Sequence, residues 1–267
     1  MIAFALACAL ATGIIVAIVV APLRRRRRRQ RLAKAPLPVA VGHLLERTRT
    51  WRRLPDALRP RLAARVQIFL AEHEFVGCGG LTVSDAIRVG IAAQACLLML
   101  NRTEHGFDEL RSILVYPDEF VVTEDSEADG VVTERRRALS GQSWDTSRIV
   151  LSWRDVEGAG DGYNVVIHEF AHYLDQEAGA PNGAPLLADA DDYNRWAAVM
   201  SRAYRELATK AEAGAETLLD PYALEDEAEF FAVATETFFE LPRELAHQQS
   251  ELYAELARFY RLDPATW

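Results

Sequence analysis

The residues of this 267-residue chain whose types and spacing point most directly to chemistry are His168, Glu169 and His172. In a helix, positions four apart differ by about 40° around the axis and by one turn along it, so both imidazoles face one point. Two imidazoles converging in this way suit a zinc ion. Glu169 is rotated off that line and reaches a metal-held water rather than the metal. Zinc lowers the pKa of such a water to about 7, and the glutamate takes its proton as general base. The spacing therefore predicts metal-assisted hydrolysis of peptides. With histidine at about 2 and glutamate at about 6 per cent of residues, chance supplies the pattern in well under about one chain in a hundred of this length.

The flanks decide what kind of helix carries the motif. Val165, Val166 and Ile167 precede it, and Phe170, Ala171 and Leu174 fill its other faces, which predicts a buried helix. Histidines facing a core need polar partners, and one metal serves both. The competing reading is a pair of surface histidines on an amphipathic helix. The apolar stretch is too short for an intramembrane protease.

A third ligand has to come from elsewhere. Asp175 and Ala178 stand where a metzincin would continue with Gly and His, so that class is excluded. The acidic segment 222–240 is the obvious donor. At about 100° per residue Glu225, Glu229, Glu236 and Glu240 share one stripe, and periodicity leaves all four open. A solvated acidic face is the alternative, although Phe230, Phe231, Val233, Phe238 and Phe239 on the other sides require the helix to pack. His43, His73, His105 and His247 lie near helix ends or loops and read as solvent-facing or capping histidines.

The elements that must position these groups follow from pattern. Residues 41–70 read as helical, and a helix capped by Thr82 or Ser84 runs to Leu100. That second helix is apolar on most faces, but Asp85 and Arg88 argue against a membrane span. Strands are expected at 112–116 and 119–123, split by Pro117-Asp118, and at 131–139 and 148–153. Helices follow at 163–178, 190–213, 222–240 and 243–261. Strands in the middle with helices on both sides indicate an α+β domain.

Composition and charge bound the partners. Half of the residues are hydrophobic and 26% charged, enough for a sizeable core. Residues 1–34 carry eight positive charges and no acid, leaving 22 basic against 39 acidic residues, −17, in the rest. A body that acidic repels nucleic acid, whose binding needs basic side chains. Cys78 and Cys96 read as free buried thiols in a reducing compartment. Residues 2–21 form an uncharged apolar run long enough to span a bilayer as a helix. The basic residues Arg24, Arg25, Arg26, Arg27, Arg28 and Arg29 follow the run rather than precede it, unlike a signal peptide. They place that end of the span on the cytoplasmic side. The expected organisation is an anchor over 1–23, a basic juxtamembrane linker over 24–40 with Pro36 and Pro38, and a catalytic domain over 41–267. The protein would sit at the bacterial inner membrane as a single-pass protein. A mis-assigned start and a cytoplasmic location are the alternative.

Several longer motifs carry a family resemblance. They are Gly141-Gln142-Ser143-Trp144, residues 149–153, the run His168 to Asp175 (HEFAHYLD), and Asp220-Pro221-Tyr222 followed by Ala228-Glu229-Phe230-Phe231-Ala232-Val233 and Glu236. In these the chain resembles the Mlc titration factor A family of zinc-dependent peptidases, across residues 45–262. The resemblance implies a mostly helical, zincin-like (gluzincin) domain with a small central sheet, related to the anthrax lethal factor catalytic domain. It implies that His168, His172 and Glu229 hold Zn2+, that Glu169 is the base, and that Tyr222 stabilises the oxyanion. A helix-start packing role is the plain alternative for Tyr222. Asp175 and Glu236 are candidate partners orienting the imidazoles, although Val233 occupies the place where the lethal-factor pattern expects an acid. Residues 148–153 would be the edge strand along which a peptide substrate pairs. Better-known members bind the repressor Mlc. The two functions implied are an aminopeptidase-like metallopeptidase and a regulatory protein that sequesters such a repressor with little catalysis.

Overall fold

A computed structural model describes residues 20–102, 106–118, 120–128, 131–139, 141–145, 147–160, 162–177 and 179–267, with Gly13 and Val16; for 120–145 it describes the backbone. The apolar run at 2–21 therefore lies almost wholly outside the described residues. Among the described residues no helix is long and apolar enough to cross a membrane.

Four helices come first: α1 (Ala21–Lys34), α2 (Val39–Glu46), α3 (Arg49–Arg53) and α4 (Arg59–Glu72). The segment expected as a basic linker is thus largely helical, and it rests on the body. Arg25, Arg28, Arg29 and Leu32 recur at helical spacing on the docked face. Arg29 donates Nε (2.9 Å) and Nη2 (2.6 Å) to Glu72 Oε2, and Nη2 also lies 2.5 Å from Asp108 Oδ1. Arg25 donates to the Asp108 carbonyl at 3.1 Å, and Arg28 to that of Ala71 at 2.9 Å. Because the Glu72 side chain is only 5% exposed, this pairing is shielded from water and orders the helix better than a surface ion pair would.

Parallel strands need a long crossover, and the most apolar helix supplies it. β1 (Glu74–Gly77) leads through α5 (Asp85–Leu98) to β2 (Ser112–Tyr116), which pairs parallel with β1. Ser84 caps α5, its Oγ accepting from Ile87 N at 3.3 Å. Nine α5 residues are buried, so its hydrophobicity serves the core. β3 (Phe120–Ala128) and β4 (Val131–Leu139) form a separate antiparallel pair, followed by β5 (Gly141–Asp145) and β6 (Arg148–Ser152). The main sheet has the order β1-β2-β6-β5, with β6 parallel to β2 and β5 antiparallel to β6. This corrects the expected edge: β6 is internal, and the edges are β1 and β5. The burial of β6 agrees, since Ile149, Val150, Leu151 and Ser152 are all buried rather than alternating.

The rest is helical: α6 (Trp153–Glu157), α7 (Val165–Gln176), α8 (Ala190–Glu212), α9 (Glu227–Glu240), α10 (Pro242–Gln248) and α11 (Ser250–Tyr260). Two expected helices are divided. Asp226, in extended conformation, starts α9 by accepting from Glu229 N at 2.8 Å, and a short 3-10 turn (Pro221–Leu224) stands before it. Gln249 breaks the last helix, its φ of −137° being non-helical. Phe107 meets Phe170 at 4.7 Å and Tyr173 at 5.3 Å between ring centroids, which packs the back of α7 against the core. Trp196 of α8 meets Phe231 of α9 at 5.6 Å. Cys96 is a free buried thiol, as expected, and Cys78 is free but only half-buried.

Candidate metal centre

Helix α7 begins where Asn164 caps it, the side-chain Oδ1 accepting from Ile167 N at 3.1 Å. Val165, Val166, Ile167, Phe170, Ala171 and Leu174 are buried, which leaves one face for His168 and His172. Their Nε2 atoms lie 3.1 Å apart. From α9, Glu229 Oε2 approaches those atoms to 3.0 and 3.4 Å. Three ligand atoms so converge on one point.

A cation fits this arrangement. A tetrahedral zinc with bonds of about 2.1 Å separates its ligands by about 3.4 Å, close to the three spacings observed. Glu229 Oε2 is buried without a well-aligned hydrogen bond despite its short distances to both rings. Burial alone would raise the Glu229 carboxyl, but the two imidazoles outweigh it and hold it well below the usual carboxylate range.

Behind the centre, His168 Nδ1 meets Glu236 Oε1 at 2.6 Å. An ionised carboxylate only accepts, so Nδ1 carries a proton, and Nε2 is the nitrogen that faces Glu229 and His172. Glu236 is 3% exposed. Burial opposes protonation of His168, yet Glu229 and Glu236 at its two ring nitrogens raise its pKa well above 6.5.

Glu169 is 4% exposed, and its Oε2 is buried with no partner among the described atoms. Burial raises its carboxyl first, the two imidazoles pull it back, and Glu229 and Glu236 push it up again, to about 7. Tyr222 stands in the 3-10 turn, 39% exposed, with its ring centroid 6.3 Å from that of His168.

Other expectations fall differently. Glu225 is exposed outside α9, whereas Glu229, Glu236 and Glu240 all turn inward, which removes the solvated-face reading of the stripe. Asp175 turns to the loop after α7, where its Oδ2 accepts from Gly183 N at 2.8 Å. His73 is the C-cap residue of α4, in keeping with the capping alternative, but it is buried at 7%, its Nδ1 2.9 Å from the Leu110 carbonyl. His43 and His247 are exposed, and His105 lies outside the described residues. Sequence reasoning did not single out Asn164 or Gly183. Asn164 before an apolar helix signals a cap, but nothing local signals its second set of contacts.

A helix bearing two histidines, faced by a helix bearing a glutamate and flanked by a small mixed sheet, defines a protein of the metallopeptidase class. The chain belongs to the glucose-regulated metallo-peptidase M90 family, whose profile matches residues 23–261 and so takes in most of α1. It is 40% identical over 240 residues to an uncharacterized protein of Synechocystis sp., covering 87% of each chain. It is 35% identical over 217 residues to the Mlc titration factor A of Pectobacterium atrosepticum, covering 79% of this chain and 82% of the relative. The Mlc titration factor A of Yersinia pestis is 33% identical over 217 residues, covering 79% and 80%.

Proposed function

We propose that this protein is a zinc-dependent peptidase, probed best as an aminopeptidase, in which His168, His172 and Glu229 hold the metal and Glu169 is the general base. The observation that carries this reading is the convergence of the three ligand atoms beside a buried Glu169 whose Oε2 has no hydrogen-bond partner among the described residues. A bound zinc ion would supply Lewis acidity and a water of pKa about 7. Glu169 accepts the proton of the attacking water and passes it to the leaving amine. Glu236 holds the proton of His168 on Nδ1. Tyr222, at the open side of the site, donates its hydroxyl to the carbonyl oxygen as that oxygen gains charge. An extended peptide adds to β5, the sheet edge whose neighbour is β6, by backbone hydrogen bonds. Metal analysis of purified protein tests the reading: stoichiometric zinc is expected, and its absence would overturn both site and mechanism.

A second reading, regulatory binding, is favoured by the name Mlc titration factor A that relatives such as those of Pectobacterium atrosepticum and Yersinia pestis carry. Here the protein sequesters a transcriptional regulator of that kind with little turnover. The buried base supports the first reading, because a scaffold has no use for it. We further propose anchoring at the cytoplasmic face of the membrane through residues 2–21. Arg24, Arg26 and Arg27 are exposed and available to anionic lipid, while Arg25 and Arg29 bind the body. Retention in membranes after a high-salt wash is expected, and release into the supernatant would contradict it.

A further inference from the structure

The contacts behind His168 do not end at Glu236. We propose that Asn164, Glu240 and the guanidinium pair of Arg49 and Arg53 are positioning residues for the metal centre, forming a polar relay from the protein surface to the His168 imidazole. This rests on the zinc reading above and deepens it. Glu236 Oε2 accepts from Asn164 N at 2.5 Å, and Asn164 Nδ2 donates to Glu240 Oε1 at 2.8 Å. Glu240 Oε2 then meets Arg49 Nη1 at 2.9 Å and Arg53 Nη1 at 3.4 Å. Asn164, Glu236 and Glu240 are 2, 3 and 8% exposed, so the inner links are shielded from water.

Every link has a forced direction. Guanidinium groups only donate and ionised carboxylates only accept. Asn164 therefore donates to both glutamates while its Oδ1 remains the acceptor that caps α7. Glu236 is left with one oxygen for Asn164 and one for His168, which fixes the ring and its tautomer. Charge explains why the surface end matters. Glu236 and Glu240 are buried carboxylates one turn apart on α9, a repulsive pair unless each is separately compensated. Arg49 and Arg53 compensate Glu240, which leaves the full charge of Glu236 for His168 and the metal. Arg49 Nη1 also donates to the Ala159 carbonyl at 3.2 Å, tying α3 to the loop that leads into the motif helix.

Two variants of the full-length chain test this. Asn164→Asp keeps the capping oxygen but turns the Nδ2 donor into an acceptor facing Glu240. The double variant Arg49→Gln/Arg53→Gln removes the compensating charge at the surface. Arg202→Gln, which breaks a remote surface pair with Glu251, is the control. Zinc affinity is read by chelator competition, and ligand geometry by the visible spectrum of the cobalt-substituted protein. Both relay variants are expected to bind zinc about tenfold more weakly and to shift the cobalt bands, as orienting partners of metal ligands do. Arg49→Lys/Arg53→Lys is expected to restore most of the affinity, and the control to match wild type. Affinities within about twofold of wild type with an unchanged cobalt spectrum would overturn the relay, the usual loss being about 10- to 100-fold. So would a zinc loss that only tracks loss of folded protein in circular dichroism. Wild type that binds no zinc overturns the parent reading and the relay together, whereas variants that match a zinc-binding wild type overturn the relay alone.

Discussion

Glu229 and Glu236 stand two turns apart on one helix and do different work: one faces both imidazole nitrogens, the other grips the far side of a single ring. Periodicity alone cannot separate them, because both lie on the stripe that also holds Glu240. Only the family motifs point to Glu229. Glu236→Gln is expected to weaken zinc binding about 10- to 100-fold while leaving the helix intact, since a neutral amide orients the ring poorly. Chelator competition alongside circular dichroism checks it. Tyr222→Phe should lower kcat about 100-fold or more with KM nearly unchanged, the pattern for a donor used only as the oxyanion forms. Steady-state kinetics on a peptide anilide reads the split, and a rise in KM alone would speak against that role.

Elements bring these residues together through contacts that are long in sequence. Gly183 lies between the two site helices, with Gly183 N donating to Asp175 of α7 and its carbonyl accepting from Trp196 Nε1 of α8 at 2.8 Å. Its φ is +72°, and a Cβ would sit 2.3 Å from the Glu227 carbonyl oxygen at the start of α9. Gly183→Ala is therefore expected to cost at least about 1–3 kcal/mol and to lower the unfolding temperature, with zinc affinity falling as α9 shifts. His73, at the end of α4, is buried and its pKa is lowered by that burial, against the opposing hydrogen bond to Leu110. The unfolded chain then binds more protons than the folded one just below about pH 6.5, so stability rises with pH across that window. His73→Gln is expected to remove this contribution, so that the variant loses less stability than wild type on acidification through that window in denaturant titrations at several pH values. The α7 helix was legible because its apolar flanks and polar pair obey one period. The edge strand β5 was not, because Gly, Gln, Ser and Asp are poor strand formers and its place comes from pairing with β6.

At the scale of the whole molecule, the arginine run divides its labour. Its uniform composition hides the amphipathicity of α1, since the same residue type faces both the body and the solvent. Which face docks is decided by Glu72 and Asp108, distant in sequence, so a linker was the natural reading. Arg29→Gln should loosen α1, seen as faster amide exchange over 21–34, whereas Arg27→Gln, on the exposed side, should not. The α+β architecture, the motif helix and its partner helix were readable from pattern and family motifs. The relay through Asn164 and the order of the sheet were not, because both arise from tertiary contacts. The central claim is that Glu169 serves as the base for peptide hydrolysis at a zinc centre. The most direct test is the turnover of aminoacyl and peptide anilides by zinc-loaded wild type and Glu169→Gln side by side. Loss of about 100-fold or more in kcat by a variant that still holds zinc is expected for a general base. Equal rates in the two proteins, or no turnover in either, would contradict it.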